Sequence, residues 1–216
     1  MSPPPPRPQI YHITHGKHQE RIIAEGFLWS DAEILARGGP EKPIGMAKIK
    51  KRRLEEQIVH CHPETKVGQY VPFYFCPRSV MLFLLHMGNH PDITYREGQR
   101  PILHLVADLH EDVAWAEGRQ RAWAFTNGNA GGRFYQSFTD LAELDQLGWE
   151  HIASDEWGEA EVKEAKQSEF LVFGSFPWPL IRTIGVKDEK LAARAREILA
   201  KADHLPDVQV QSGWYY

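Results

Sequence analysis

Ile102-Leu-His-Leu-Val-Ala-Asp-Leu109 reads as a strong strand, and the rest of the 216-residue chain can be read outward from it. Towards the N-terminus, Tyr70-Val-Pro-Phe-Tyr-Phe75 is another strand and Ile10-Tyr-His-Ile-Thr14 alternates like a third. Towards the C-terminus, Glu169-Phe-Leu-Val-Phe173, Ile181 to Val186 and Val208 to Gln211 continue the series. Helices are short and mostly early. One, about Lys17 to Glu25, ends at Gly26; the next opens at Ser30, where Ser30-Asp-Ala-Glu33 makes a capping box, and stops at Gly38-Gly39-Pro40. Val80 to Leu85 suits a strand or a buried helix, and Ile44 to Gln57 a helix or a loop. Thr126-Asn-Gly-Asn-Ala-Gly-Gly132 is a loop that turns more than once. Asp140 to Leu147 is a short helix, another begins at Glu161, and Asp188 to Lys201 is the clearest, capped by Asp188 with Leu191, Ala195, Ile198 and Leu199 on one face. Short strands mixed with short helices predict an α+β domain on an antiparallel or split sheet, not a doubly wound nucleotide fold.

Hydrophobic residues make up 42% and charged residues 25%, ordinary for a globular chain. The length favours one domain, here residues 10–216, behind a proline-rich N-terminal tether at 1–9. Cys61 and Cys76 allow at most one bridge and suit a reducing cytosol. The longest apolar run, Val80 to Leu85, is far short of a membrane span, and the proline-rich start lacks the apolar core of a signal peptide. A cytoplasmic protein without a membrane partner is expected. With a net charge of −4, any nucleic-acid role must rest on a local patch.

Several chemistries find no support. Gly128 and Gly131-Gly132 do not form a dinucleotide fingerprint, and neither a phosphate-binding P-loop nor a Gly-x-Ser-x-Gly elbow occurs. His60-Cys-His62 has no second ligand pair, so it reads as an exposed polar connection and no metal is expected.

Four segments carry more than packing requires. In Tyr11-His-Ile-Thr-His15, a strand offers the His12 imidazole and Thr14 hydroxyl on one face. From Arg37 to Arg53 there are seven basic residues against the single acid Glu41, a local positive patch suited to phosphates or simply a solvated helix face. In Val71-Pro-Phe-Tyr-Phe-Cys-Pro-Arg-Ser-Val-Met81, Tyr74 and Phe75 point to opposite faces, one towards the core and one towards a pocket. In Gln167-Ser-Glu169-Phe-Leu-Val-Phe173, a carboxylate stands at a strand mouth, where burial is partial.

In their order and spacing, over about Ile10 to Pro177, these segments resemble the DarT-type DNA ADP-ribosyltransferase toxins, and the closing Gly-Trp-Tyr-Tyr216 is also similar. The resemblance implies an ADP-ribosyltransferase-like split β-sheet with an NAD cleft and short flanking helices. It implies transfer of ADP-ribose from NAD⁺ onto a base of single-stranded DNA, usually thymine, with nicotinamide released, no metal, and a DarG-like macrodomain antitoxin as partner. Glu169 matches the catalytic glutamate, and Arg53, with Arg52 the second candidate, the catalytic arginine. His12, Ile13, Thr14, Gly26, Leu28, Gly45, Lys51, Arg52, Arg53 and Tyr74 are the expected NAD⁺ contacts; Arg78, Met81, Trp123, Asn127 and Arg133 are the expected DNA contacts. Ala160, between Glu159 and Glu161, is the other place where a catalytic carboxylate would stand. Nine acids against Lys163 between Asp140 and Glu164 predict a face turned partly away from DNA. Two other readings share the motifs: a transferase of the same fold acting on RNA or protein, such as a phosphotransferase, and a catalytically silent nucleic-acid or NAD-binding module.

Overall fold

A computed structural model describes residues 2–39, 42–132 and 134–216. In chain order it contains β1 (Gln9–His15), α1 (Gln19–Glu25), β2 (Phe27–Trp29), α2 (Asp31–Ala36), α3 (Ala47–Glu55), β3 (Ile58–Val59), β4 (His62–Lys66) and β5 (Tyr70–Tyr74). There follow α4 (Val80–Met87), β6 (Ile102–Asp108), α5 (Leu109–Gly118), β7 (Trp123–Thr126), β8 (Ser137–Phe138), α6 (Trp149–Ala153) and α7 (Ala160–Ala165). The chain closes with β9 (Glu169–Phe173), β10 (Ser175–Pro177), β11 (Thr183–Val186), α8 (Glu189–Leu199) and β12 (Asp207–Val210).

Eight strands form one sheet in the order β12-β11-β6-β1-β5-β9-β7-β8, antiparallel except for β11 beside β12. The expected α+β class with a split sheet is what the chain adopts. The split is visible in the register. β1 pairs with β6 along its whole length, from Gln9↔Asp108 to His15↔Ile102, but meets β5 only at Tyr11↔Tyr74. Beyond that pair the two strands diverge, and the edge backbone groups must find other partners. One does so through a side chain: His12 Nδ1 lies 2.8 Å from Pro72 O, and Pro72 has no N–H to offer a ladder.

Local signals explain most boundaries. Ser30 Oγ accepts from Glu33 N at 3.3 Å, and Gly26 closes α1 at φ +72°, a left-handed conformation that glycine adopts without strain. Val80 to Leu85 is helical, not extended. Ser79 Oγ caps it through Leu82 N at 3.2 Å, and only Leu82 and Leu85 face fully inward. The basic segment is the helix α3. The short helix expected from Asp140 to Leu147 forms as a 3-10 helix over Leu141–Gln146. The strand at Ile102 stops one residue early, because Asp108 turns its carboxylate onto His110 N and Glu111 N and starts α5. His60 and Cys61 form the turn of a β3–β4 hairpin instead of an open connection.

The main core lies under the sheet and joins α5, α6 and α8, with Phe73, Phe125, Phe170 and Phe176 fully buried. Before β1 the proline stretch lies against the body: Pro8 O accepts from Leu109 N at 3.0 Å, and Arg7 pairs with Asp108 and Glu111. Among the described residues no helix is long and apolar enough to cross a membrane.

Candidate active site

A cleft opens where β1 and β5 part. Its walls come from β1 (His12, Thr14), α3 (Lys50, Arg53), β5 (Tyr74), the start of α4 (Met81) and the loop bearing Asn129, and Glu169 stands at its inner end. Glu169 is the first residue of β9 and pairs in register with Tyr74. A glutamate there would normally reach solvent, yet its side chain is only 3% exposed. The carboxylate is held on two sides. Arg53 Nη1 donates to Oε1 at 2.9 Å and Nη2 to Oε2 at 2.8 Å, while Ala130 N donates to Oε1 at 3.3 Å. Its own N–H bonds Thr126 Oγ1 at 3.1 Å. The fork-on-carboxylate geometry is the strong, directional form of an ion pair.

Helical spacing sorts the basic run. Ile49, Lys50 and Arg53 reach the cleft, whereas Lys51 lies on the outer face beside Glu55. Lys50 pairs with Asp31 at the start of α2. Arg52 donates to Gly131 O and so ties α3 to the 127–132 loop.

The titratable groups respond to burial. Burial alone would lower the Arg53 pKa, but the Glu169 carboxylate outweighs it and the guanidinium is held more firmly charged. Burial, then the charge of Glu169, raises the Tyr74 phenol, which keeps its proton. Burial lowers His12, partly offset by the Pro72 carbonyl. A neutral His12 donates from Nδ1 to that carbonyl, leaving Nε2 as an acceptor. Thr14 Oγ1 is 3.1 Å from His18 Nδ1.

Of the residues expected from sequence, His12, Ile13, Thr14, Gly45, Arg53, Tyr74, Met81 and Glu169 come together at the cleft. Others do not. Gly26 is the cap of α1, and Leu28 is buried in the core of β2. Lys51 faces away, and Arg52 contacts the loop rather than the cleft. Trp123 is only 4% exposed and packs against Phe170, so it is a core residue and not part of a DNA wall. Asn127 exchanges hydrogen bonds with Gln136 at the edge of the loop. Arg78 lies outside the cleft lining, over the Tyr216 ring. Arg133 lies outside the described residues. Ala160 is exposed at the start of α7, outside the cleft lining, which leaves Glu169 as the clamped carboxylate. Phe75 joins the core while Tyr74 faces the cleft, as alternation requires.

Sequence reading placed Asn129 in the loop facing DNA, and did not single out Lys50, Asp31, Gln167 or Trp29 as cleft residues. Only Lys50 carried a signal, standing three positions before Arg53 on one helix. Asn129 and Gln167 bond each other at 3.0 Å across the base of the loop. Among the described residues no group of three or more His, Cys, Asp or Glu is placed to hold a metal ion.

A sheet parted around a buried glutamate that an arginine grips from the opposite wall describes an NAD-dependent ADP-ribosyltransferase. Residues 11–216 match the family described as ssDNA thymidine ADP-ribosyltransferase, DarT. A DNA ADP-ribosyl transferase of Thermus aquaticus is 37% identical over 209 residues, covering 96% of this chain and 88% of that protein. The structure of Thermus sp. 2.9 DarT in complex with ADP-ribosylated ssDNA superposes with a TM-score of 0.86 at 33% identity, covering 98% of both chains. The same protein in complex with NAD⁺ gives 0.82 at 32% identity, covering 98% of this chain and 99% of that one. The chain belongs to the DarT family and is an NAD-dependent DNA ADP-ribosyltransferase, with NAD⁺ as co-substrate and single-stranded DNA as acceptor.

Proposed function

We propose that residues 10–216 form one catalytic domain, with the proline-rich 1–9 segment leading into it, that moves ADP-ribose from NAD⁺ onto thymine in single-stranded DNA. The observation that carries the residue assignment is the two-bond clamp of Arg53 on Glu169 at the inner end of the cleft. The bond from the ribose anomeric carbon to nicotinamide breaks, and nicotinamide leaves as a neutral ring. The cationic ribose left behind is stabilised by the carboxylate of Glu169, whose orientation is set in advance. A ring nitrogen of the base then forms the new bond to the anomeric carbon and gives up its proton to water. The fixed charge of Arg53 favours the base as it loses that proton.

His12 and Thr14 supply polar contacts to the nicotinamide ribose and amide, Lys50 faces the cleft as a cation for phosphate, and the Tyr74 ring stacks on nicotinamide. Met81 on the cleft wall and Arg78 beyond the cleft lining meet the DNA. The family resemblance supports a toxin acting in the cytoplasm and held in check by a macrodomain partner that removes the modification.

Incubation with NAD⁺ and a mixed-sequence oligonucleotide, followed by mass spectrometry, tests this reading. A gain of one ADP-ribose on thymine is expected; modification of another base, or none on any DNA, refutes it. Growth arrest on expression, relieved by a co-expressed macrodomain, tests the toxin assignment.

A further inference from the structure

Every lysine and arginine that faces the cleft is already answered by an acid. Among the described residues those side chains are Lys42, Lys50 and Arg53. Lys42 is paired with Glu97, Lys50 with Asp31 and Arg53 with Glu169. NAD⁺ brings a negatively charged pyrophosphate, and a cleft whose cations are all paired offers it little net attraction. One pair has to open before the co-substrate gains a counter-ion.

Burial and placement decide which. Glu169 is enclosed, and parting it from Arg53 would strand a buried charge. Asp31 lines the cleft beside Lys50, so parting those two would leave a bare carboxylate in the space the phosphates need. Glu97 differs on both counts. It stands outside the cleft lining, and its side chain is 47% exposed, so water readily rehydrates it. It also keeps a second partner: its Oε2 lies 3.1 Å from His15 Nε2. His15 Nδ1 accepts from Lys17 N at 3.1 Å, so Nε2 carries the ring proton and donates to Glu97. Lys42 belongs to the stretch 42–46, which has no regular structure and lines the cleft at each of its five positions. Ile44 and Met46 pack that stretch onto the cluster of Ile13, Leu82 and Leu85, which holds it in place when the Lys42–Glu97 pair opens.

We propose that Glu97 is an internal competitor of NAD⁺: it holds the Lys42 ammonium in the free protein and gives it up to the co-substrate pyrophosphate, so that this pair sets how tightly NAD⁺ binds. The placement rests on the NAD⁺ reading of the cleft given above. Glu97 touches neither the co-substrate nor the reacting atoms; it is a positioning residue that acts through Lys42. Its effect falls on binding alone, because the Arg53–Glu169 pair is the same whether or not Glu97 is charged.

Calorimetry of NAD⁺ binding to wild type, Glu97→Gln, Lys42→Ala and the double variant tests this. Removing the competitor should tighten NAD⁺ about threefold at about 50 mM salt, the scale of a part-exposed ion pair, and the gain should shrink by about 200 mM. Lys42→Ala should weaken binding, and Glu97→Gln added to it should change nothing further. In transfer kinetics Glu97→Gln should lower the KM for NAD⁺ and leave kcat as it was. The inhibition constant of ADP should fall with it, while that of adenosine, which lacks phosphate, stays the same. A damaged fold cannot imitate a gain in affinity. Equal or weaker NAD⁺ binding by Glu97→Gln, a Lys42→Ala protein that binds like wild type, or the same gain with Lys42 absent overturns the competitor. An NAD⁺ affinity that Arg53→Ala also leaves unchanged would instead remove NAD⁺ from this cleft altogether.

Discussion

Arg53 and Glu169 meet through two parallel hydrogen bonds, 2.9 and 2.8 Å long, although 116 positions separate them in the chain. Their meeting joins the last turn of α3 to the first residue of β9, the two elements that enclose the inner end of the cleft. Because both groups are buried, the pair is structural and chemical at once. Each charge is tolerable only while the other is present.

Removing the arginine should therefore damage the fold as well as the reaction. Arg53→Ala leaves a buried carboxylate with Ala130 N as its one remaining donor among the described residues, and a loss of about 3–5 kcal/mol of stability is expected. Arg53→Lys keeps the charge but loses the fork, so it should melt nearer to wild type and still transfer poorly. Denaturant unfolding beside a transfer assay reads both; an Arg53→Ala protein as stable as wild type would contradict the buried pair.

Replacing the carboxylate tests the chemistry, at a cost in stability because the Arg53 charge then lacks its counter-ion. Glu169→Gln keeps the shape and an acceptor for Arg53 while removing the charge that stabilises the cationic ribose. Transfer should fall about a hundredfold or more, with NAD⁺ binding by calorimetry changed little. Retained transfer would place the catalytic carboxylate elsewhere.

The neighbouring arginine acts differently. Arg52 holds Gly131 O, and the same loop presents Ala130 N to Glu169. Gly131 sits so tightly that an added Cβ would lie 2.9 Å from Ile49 Cγ2 and 3.1 Å from Asn129 Oδ1. Both Arg52→Ala and Gly131→Ala should therefore shift the loop. Slower transfer with little change in NAD⁺ affinity is expected from each, and their effects should be less than additive because they disturb one contact region. A loss of NAD⁺ affinity as large as that in Arg53→Ala would show instead that Arg52 binds the co-substrate.

Six of the twelve strands, the helices capped at Ser30 and Asp188 and the order of the cleft motifs were legible because each rests on local signals: alternation, a capping side chain, a glycine after α1. What escaped reading depends on tertiary placement. Trp123 looked like a DNA contact because its neighbours form a turning loop, but β7 is an inner strand and the ring faces Phe170. Lys51 and Lys50 are indistinguishable by composition; only the rotation of α3 decides which enters the cleft. Leu28 sits on a three-residue strand that exists because β10 pairs with it, its partner Phe176 standing 148 positions later.

Acid sensitivity is expected from a second buried histidine. His104 is fully enclosed, with Nε2 2.9 Å from Pro77 O, and burial pushes its pKa down to about 4. The folded protein then binds fewer protons than the unfolded chain between about pH 6.5 and 4, so stability is complete above that window and falls as pH drops through it. A single site of this kind contributes on the order of 3 kcal/mol, and His12, also lowered, acts in the same direction. Guanidinium unfolding at pH 7, 5.5 and 4.5 should show the decline, and His104→Gln should flatten part of it. An equal slope in both proteins would mean that His104 titrates normally.

Asp112 carries the opposite linkage. It is fully buried on α5, neither carboxylate oxygen has a hydrogen-bond partner among the described residues, and burial followed by the nearby charges of Asp108 and Glu111 raises its pKa well above the usual carboxylate range, against a smaller pull from Arg182. A raised acid binds more protons folded than unfolded, so its contribution is intact at low pH and is lost as pH rises above the unfolded value towards the folded one. Asp112→Asn removes the titration while keeping the shape. The variant should match wild type near pH 4 and exceed it by about 1–3 kcal/mol at pH 8, the range for an unsatisfied buried polar group. Equal or lower stability at pH 8 would show that the carboxylate is answered in solution by a partner that Asn cannot replace.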